Sequence, residues 1–216
     1  ILEADWCVGE FIKTLRQEGV LENTLIIFSS DNGAVLNDGY YDDAVEKLGN
    51  HQPNGPLRGG KYSLFEAGTR VPFFTYWEGK IEPKVSDALI CQIDLLESLA
   101  KLVGTKIEPT DSQELLSTFL GKSQKGRKSL VIEANTKTAF RWGDWLMIPP
   151  YPGNPFLEEV KIEIGTSPEY QLYNLKKDIG QTNNLAKRYS KTLQKLIKEF
   201  NIVRGDYSKI DTIELK

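Results

Sequence analysis

The sequence contains little of the chemistry that builds disulfide frameworks or histidine-rich metal sites. Its 216 residues include two cysteines, one histidine and one methionine. Cys7 and Cys91 are too few for a disulfide framework and lack zinc-site spacing, so we expect two plain buried thiols. Because His51 is the single histidine, a metal site made of several histidines of this chain is excluded.

The sequence also lacks a long apolar run and a large excess of one charge. No apolar stretch approaches the roughly 20 residues that span a bilayer, so we expect no membrane span. Lys and Arg total 27 against 30 for Asp and Glu, which gives a net charge of -3. This balance provides no bulk attraction to nucleic acid or to an anionic membrane.

An initiator methionine and a secretory leader are both absent from the first residues. The chain opens with ILEADW, which has neither a basic start nor a long apolar segment. We therefore expect the sequence to begin partway through a larger protein. On that expectation, the missing leader says nothing about the compartment.

The first part of the chain has the pattern of an α/β domain. Apolar residues at helical spacing predict an amphipathic helix over residues 2–18, and residues 24–28 predict a strand buried on both faces of a sheet. Residues 71–77 predict another strand. Asp94 and Glu97 have capping-box spacing at the start of a helix that Gly104 ends, and a short helix is predicted from Asp111 to residue 120.

The second part has the pattern of a small antiparallel sheet. A polar, basic stretch at residues 121–127 separates it from the first part. Strands are predicted at residues 130–133, 138–142, 145–148 and 170–175, with a hairpin turn at Gly143-Asp144 and a C-terminal helix capped by Asn184. We therefore predict an α/β domain over residues 1–121 and an α+β subdomain over residues 122–216.

A long polar excursion between residues 31 and 70 interrupts the apolar pattern. Structureless loops of this length are uncommon in compact domains and are usually functional or disordered. Asp31 and Asn32 begin the excursion at the end of a strand, where open α/β sheets bind ligands. Their oxygens suit calcium or magnesium, although Asn32-Gly33 is also an ordinary turn signal and two ligands do not make a site.

The excursion also contains a basic, glycine-rich cluster, GPLRGGK, at residues 55–61. Arg58 and Lys61 would offer positive charge to an oxyanion, and His51 would donate to an anion or act as acid or base. A solvated basic turn and an exposed histidine are equally open readings. A cation site beside an anion cradle would suit hydrolysis or transfer of a phosphate or sulfate ester.

Five segments, in order, resemble the C-terminal half of the sulfatase family, in particular arylsulfatase-type enzymes related to alkaline phosphatase. They are NTLIIFSSDNG, GPLRGGKYSLFEAGTRVPFFTYW, ICQIDLLESLAKLVG, AFRWGDWLMI and QLYNLKKDIGQTNNLA. The resemblance covers residues from about 1 to 190. It implies an alkaline-phosphatase-like α/β domain followed by a small subdomain, and a periplasmic or secreted location.

The resemblance implies roles for individual residues. Asp31 and Asn32 match the pair that ligates calcium, and Lys61 matches the lysine that touches the sulfate. His51 would contact the sulfate or the leaving-group side. Arg58 lies at the sulfate-binding loop and, like Glu66 and Arg70, matches positions that hold the loop.

The resemblance also shows what this chain lacks. Sulfatases use a formylglycine, made from Cys or Ser in a C-x-P-x-R motif, whose hydrated aldehyde attacks sulfur. Neither Cys7 nor Cys91 has that context. The nucleophile and the first acidic metal ligands would lie upstream, in a missing N-terminal half, so we expect no turnover by this chain alone. We also expect exposed apolar surface and self-association.

Two other functions stay open at this point. A phosphodiesterase or phosphonate hydrolase of the same superfamily would use similar residues. A non-catalytic carbohydrate-binding module would instead use aromatic side chains as stacking platforms. The candidates for that role are Tyr40, Tyr41, Tyr62, Trp142, Trp145 and Tyr151.

Overall fold

The computed structural model describes residues 1–40, 42–108 and 110–205. The chain divides into two compact units, each made of two segments: unit 1 is Ile1–Ser30 with Pro72–Arg127, and unit 2 is Asp31–Val71 with Lys128–Lys216. The boundary at residues 121–122 stays a prediction. Within the described residues, no helix has both the length and the apolar character needed to cross a membrane.

Unit 1 is built around a long helix and a two-stranded antiparallel sheet. Strand β1 pairs with β2, with Ile26 opposite Tyr76 and Ser29 opposite Phe73. A 3-10 turn, Leu21–Asn23, precedes β1. The elements of unit 1 are α1 (Leu2–Gln17), β1 (Ile26–Ser29), β2 (Phe73–Tyr76), α3 (Asp94–Val103) and α4 (Leu116–Phe119).

The predicted strand β1 is present, but its predicted burial on both faces is wrong for this chain. Its Phe28 is 37% exposed, and the Phe74 ring 5.9 Å away is 62% exposed. Helix α1 has no buried residue. The apolar pattern of both elements therefore faces a groove of about 530 Å³ rather than a packed core. Apolar surface is exposed as expected, and self-association stays a prediction.

The capping box predicted at Asp94 is also wrong. Asp94 lies inside the first turn of α3, whose N-cap is Ile93 without a side-chain capping bond. Its carboxylate is fully buried, accepts a hydrogen bond from the Cys91 amide and pairs with Arg127. The predicted end of this helix is confirmed, because Gly104 has φ 74°, a conformation that favours glycine.

Unit 2 contains a four-stranded antiparallel sheet with strand order β3-β4-β5-β8. The predicted hairpin is confirmed: Trp142 lies opposite Trp145 across Gly143-Asp144. A short hairpin, β6 with β7, had no counterpart in the sequence analysis. The elements are α2 (Glu66–Thr69), β3 (Ser129–Ala134), β4 (Lys137–Trp142), β5 (Trp145–Ile148), β6 (Phe156–Leu157), β7 (Ile162–Glu163), β8 (Gln171–Asn174) and α5 (Ser190–Arg204).

The two faces of the four-stranded sheet bury different partners. Alternate residues such as Phe140, Met147 and Leu172 pack with Leu196 and Phe200 of α5. The opposite face packs against Leu64 and Phe65, which come from the long loop and are each 1% exposed. The sheet therefore holds both the C-terminal helix and the end of the loop.

Three predicted details differ in the structure. The short helix predicted from Asp111 begins only at Leu116. The C-terminal helix begins at Ser190, and Asn184 instead accepts hydrogen bonds from the amides of Leu172 and Ala186. Both cysteines are free thiols as expected, but they are partly rather than fully buried.

Candidate functional site

The long loop is fastened to itself at the point where Asp31 and Asn32 follow β1. The Gly33 amide donates to the Gly68 carbonyl at 2.9 Å, and the Lys61 amide donates to the Ala34 carbonyl at 3.2 Å. Two backbone bonds thus bring the Asp31–Ala34 segment against both α2 and the Gly59–Lys61 turn. The two clusters that the sequence singled out are neighbours within unit 2.

Glycine is required where these segments meet. A Cβ on Gly33 would lie 1.5 Å from the Ala67 carbonyl oxygen, and one on Gly60 would lie 2.6 Å from the Ala34 carbonyl oxygen. The Asn54 side chain adds two bonds, accepting from the Ala34 amide and donating to the Gly59 carbonyl. The glycines therefore serve the close approach of two backbone segments.

Lys61 is held by a partner that the sequence analysis missed. Its ammonium lies 2.5 Å from an Asp38 carboxylate oxygen, while the Tyr62 hydroxyl donates to the other oxygen at 2.7 Å. The hydrogen bond with Asp38 raises the pKa of Lys61, and the same bond lowers the pKa of Asp38. Lys61 is thus a cation over the whole physiological pH range.

The backbone at Tyr62 is held in an unusual conformation. Its φ is 75°, a region that side chains other than glycine rarely adopt. The buried Ser63 hydroxyl next to it donates to the Glu163 carbonyl and accepts from the Phe65 amide. These bonds and the burial of Leu64 and Phe65 fix the turn that presents Lys61.

Arg58 is held by unit 2 rather than exposed for a ligand. Its guanidinium makes a two-pronged ion pair with Glu163, donates to the Gln181 carbonyl at 2.5 Å and lies 4.0 Å from the Phe65 ring centroid. The hydrogen bonds with Glu163 raise the pKa of Arg58. This placement fits a loop-holding residue, and its role in substrate binding stays a prediction.

Glu66 and Arg70 also make contacts that hold the loop. The Glu66 side chain is 2% exposed and pairs with Arg70 at 3.1 Å and with Arg141 at 3.2 Å. Its amide donates to the Gln181 side chain at 2.7 Å. One buried carboxylate thus joins α2 to strand β4.

His51 lies in an exposed turn, with its amide donating to the Leu48 carbonyl at 3.1 Å. The ion pair that Lys61 makes among the described residues is with Asp38 and not with His51. The backbone bonds of Gly33 and Ala34 thus place the segment that follows Asp31 and Asn32 beside the turn of Lys61, and His51 takes part in neither bond. Its catalytic and substrate-binding roles stay predictions.

The donor set at Asp31 and Asn32 is suited to a hard cation but incomplete. The Asn32 amide nitrogen donates to the Gly33 carbonyl at 3.0 Å. The oxygen of such an amide is the end that a hard cation binds. In the part of the chain that the structure describes, no group of three or more His, Cys, Asp or Glu side chains is arranged so that it could hold a metal ion. Since calcium takes six to eight oxygens, further ligands must come from elsewhere.

The aromatic side chains proposed as stacking platforms lie in mixed surroundings. Tyr40 is 78% exposed, whereas the Tyr151 hydroxyl is bonded to Thr138. Trp142 and Trp145 are partly buried against the core beside α5. Tyr41 lies outside the described residues.

Comparison with known proteins identifies the family. The family model described as Sulfatase matches residues 1–105. The chain is 41% identical over 200 residues to N-acetylgalactosamine-6-O-sulfatase from Bacteroides thetaiotaomicron, a match that covers 91% of this chain and 39% of the relative. It is 33% identical over 132 residues to human arylsulfatase A, covering 60% of this chain and 24% of that protein.

Comparison with a solved structure supports the same family. A sulfatase structure from a study of glycosaminoglycan metabolism by Bacteroides thetaiotaomicron superposes with a TM-score of 0.90 at 40% identity, covering 94% of this chain and 43% of that one. The mixed α/β fold with antiparallel sheets therefore matches part of a sulfatase structure. The chain belongs to the sulfatase family, and it spans about two fifths of the length of these two bacterial relatives.

Proposed function

We propose that this chain is the C-terminal part of a sulfatase that hydrolyses sulfate esters. One observation carries the proposal: the backbone bond from Lys61 to Ala34 joins the sulfate-binding lysine to the segment that holds Asp31 and Asn32. A divalent cation and an anionic headgroup would then share one pocket of unit 2. The alkaline-phosphatase-like domain and its small subdomain belong to the same proposal.

Each of the candidate residues in the loop would have a different role. Lys61, oriented by its ion pair with Asp38, would bind the charged oxygens of the sulfate and stabilise them as charge develops in the transition state. Asp31 and Asn32 would hold calcium, which supplies Lewis-acid polarisation of the ester when bound. Arg58 would fix the loop, and His51 would meet the leaving-group side.

The partner of this site would be polypeptide that this chain does not contain. The relatives are more than twice as long as the matched region, and the formylglycine motif expected of the family is absent from these 216 residues. We infer that the nucleophile and further metal ligands come from a preceding half. This chain alone would then bind its ligands weakly and show no turnover.

The names of the relatives indicate the substrate class. The bacterial relative acts, by its name, on N-acetylgalactosamine 6-O-sulfate groups, and the matching structure comes from work on glycosaminoglycans. We propose a sulfated glycan as the substrate of the complete enzyme. Asp38, which contacts Lys61, would then lie beside the sulfate group of that glycan.

The test uses the full-length parent that contains these residues. We expect 4-nitrophenyl sulfate to be hydrolysed faster than 4-nitrophenyl phosphate or bis(4-nitrophenyl) phosphate. Lys61→Ala and Asp31→Ala should each lower kcat/KM by about 100-fold or more, because the first removes the cation that would bind the sulfate and the second removes a ligand of the calcium that would polarise the ester. Lys47→Ala, in an exposed ion pair of the same loop, is the matched control. Full activity of both variants would reject the assignments, and a preference for phosphodiesters would favour the rival function.

A further inference from the structure

A stripe of unpaired lysines runs along the C-terminal helix. Residues 187–204 contain six basic side chains and one acidic side chain, in a chain whose net charge is -3. Lys191, Lys195 and Lys198 are all exposed and follow the i, i+4, i+7 spacing of one helical face. We call these three residues the α5 stripe.

The α5 stripe has no carboxylate partner among the described residues. No ion pair includes Lys191, Lys195 or Lys198, although Glu199 lies one turn beyond Lys195. Exposed cations elsewhere in unit 2 do have such partners, as in the Lys187–Glu169 and Lys161–Glu158 pairs. The stripe therefore presents uncompensated positive charge to solvent.

This arrangement works against the stability of the helix. Like charges one turn apart, as at Lys191 and Lys195, repel each other. Lys191 also lies in the first turn, where the helix dipole favours acidic residues, and that turn contains none. Residues that destabilise a helix without improving its packing are expected where the surface of that helix has a function.

An aromatic ring extends the stripe across unit 2. The Lys128 ammonium lies 4.3 Å from the Trp142 ring centroid, and the Lys195 ammonium lies 5.5 Å from the same centroid. Lys128 is exposed and Trp142 is partly exposed. The indole thus holds the Lys128 ammonium beside the α5 stripe, so that four cations share one surface, a combination that suits a chain of sugars bearing anionic groups.

We propose that the α5 stripe, with Lys128 and Trp142, is a binding surface for a sulfated polysaccharide chain. Lys191 and Lys198 lie seven positions apart and span about 10 Å, so the three ammonium groups would contact anionic groups on successive sugars of one chain. The identity of the ligand rests on the proposed function. The surface would hold a polymeric substrate beyond the sugar that enters the Lys61 pocket.

Two other anionic ligands fit the surface less well. A membrane-bound helix inserts an apolar face, but the apolar face of α5 is buried, with Leu193, Leu196 and Phe200 in the core. Nucleic acid carries a denser line of charge than three ammonium groups on one helical face would neutralise. Both are included as outcomes of the test.

The experiment measures binding of fluorescein-labelled chondroitin 6-sulfate to the wild-type chain by anisotropy at several salt concentrations. We expect Lys191→Gln/Lys195→Gln/Lys198→Gln to weaken binding about tenfold or more at 0.1 M salt, since three screened charge contacts are lost. The control, Lys106→Gln/Lys122→Gln/Lys125→Gln, removes three exposed lysines of unit 1 and the same net charge. Equal weakening in both triple variants would overturn the proposal.

A second measurement covers the possibility that the stripe variant does not fold. Acetylation of the wild-type protein with and without chondroitin 6-sulfate is read by mass spectrometry. Protection of Lys191, Lys195 and Lys198 but not of Lys106 supports the surface, and uniform labelling overturns it. Equal or tighter binding of the desulfated polymer, of duplex DNA or of phosphatidylserine vesicles would also overturn it.

Lys61→Ala separates this surface from the proposed active site. We expect the stripe substitutions to weaken polymer binding by the same factor in the Lys61→Ala background as in the wild type, because Lys61 lies in the loop and outside the stripe. Loss of polymer binding in Lys61→Ala, with the stripe variant unaffected, would place the polymer in the loop and overturn the inference. The proposed function is tested by ester hydrolysis in the full-length parent, whereas this surface is tested by polymer binding. Each of the two proposals can therefore be rejected without the other.

Discussion

The Lys61 ammonium and the Asp38 carboxylate, 23 positions apart in the sequence, meet at 2.5 Å inside the long loop. The contact ties the residue that would bind the sulfate to a part of the loop that has no helix or strand. Tyr62 reinforces it by donating to the second carboxylate oxygen. Asp38 thus orients Lys61 and raises the pKa of its ammonium group.

Replacing Asp38 with Asn should lower the pKa of Lys61. The hydrogen bond to the carboxylate raises that pKa, so its loss should bring the pKa down towards the ordinary value of 10.5. The pKa can be measured from the Lys61 side-chain carbon shift in NMR spectra recorded from pH 8 to pH 12. Asp43→Asn, which breaks the exposed pair with Lys47, should leave it unchanged. An unchanged value in Asp38→Asn would mean that the carboxylate does not control the charge of Lys61.

The same pair has a defined pH window. Since the pKa of Asp38 is lowered on folding, its contribution to stability is present above 3.8 and is lost as the pH falls through the folded value. Since the pKa of Lys61 is raised, its contribution is present below 10.5 and is lost as the pH rises through the folded value. The difference in urea midpoint between wild type and Asp38→Asn should therefore be constant near neutrality and shrink in acid.

Gly33→Ala should disrupt the junction of the loop. The added Cβ would lie 1.5 Å from the Ala67 carbonyl oxygen, and a backbone atom cannot move aside like a flexible side chain. We expect a loss of about 1–3 kcal/mol or more in the free energy of unfolding, as for overpacked cores.

Gly9→Ala is the matched control for that substitution. Gly9 lies within α1 with no heavy atom near the added Cβ. The substitution should stabilise the helix by about 1 kcal/mol because alanine has the higher helix propensity. Urea denaturation followed by circular dichroism measures both variants. Equal stability of Gly33→Ala and wild type would show that the two segments do not meet as described.

Local patterns in the sequence were enough to predict much of the fold. Helix α1, the Gly104 stop and the Trp142–Trp145 hairpin follow from apolar spacing and turn residues, which act over a few positions. The features that were missed depend on distant partners. Asp94 was predicted as a helix cap from its spacing to Glu97. Its actual partner, the buried Arg127, lies 33 positions away and is invisible to a local pattern.

The candidate site was predictable only in part, because some of its features are local in the sequence and others depend on distant partners. The acidic and basic clusters at either end of the loop were visible, and their adjacency depends on backbone bonds that no periodicity reports. Asp38 lies in the turn sequence Asn37-Asp38-Gly39, which gives no sign of an ion pair. The two-residue strands β6 and β7 are too short for an alternating pattern, so the Arg58 anchor at Glu163 was also missed.

Asp31→Ala should remove the response of this chain to calcium. Two oxygen ligands make a weak site, so we expect binding of about millimolar strength and a small calcium-dependent rise in the thermal midpoint. Asp42→Ala, which changes an exposed acid of the same loop, should keep that rise. Differential scanning fluorimetry with and without 10 mM calcium measures it. The same rise in Asp31→Ala as in wild type would show that any calcium binds elsewhere.

The buried pair of Asp94 and Arg127 should dominate the stability of unit 1. Asp94 is fully buried, the Arg127 side chain is 8% exposed, and the carboxylate also accepts from the Cys91 and Gln113 amides. Burial alone would lower the pKa of Arg127, but the bonds with Asp94 outweigh it and raise that pKa. Asp94→Asn leaves a guanidinium buried without its counter-charge and should cost about 3–5 kcal/mol.

The exposed pair of Arg16 and Glu78 provides the comparison, because its side chains are 61% and 36% exposed. Arg16→Ala should cost about 1 kcal/mol or less, and salt should reduce that cost because exposed charges are screened. The cost of Asp94→Asn, measured by urea denaturation, should persist in 1 M NaCl since the pair is shielded from solvent. Costs of similar size for the two variants, or equal sensitivity to salt, would mean that the Asp94–Arg127 pair is not buried in solution.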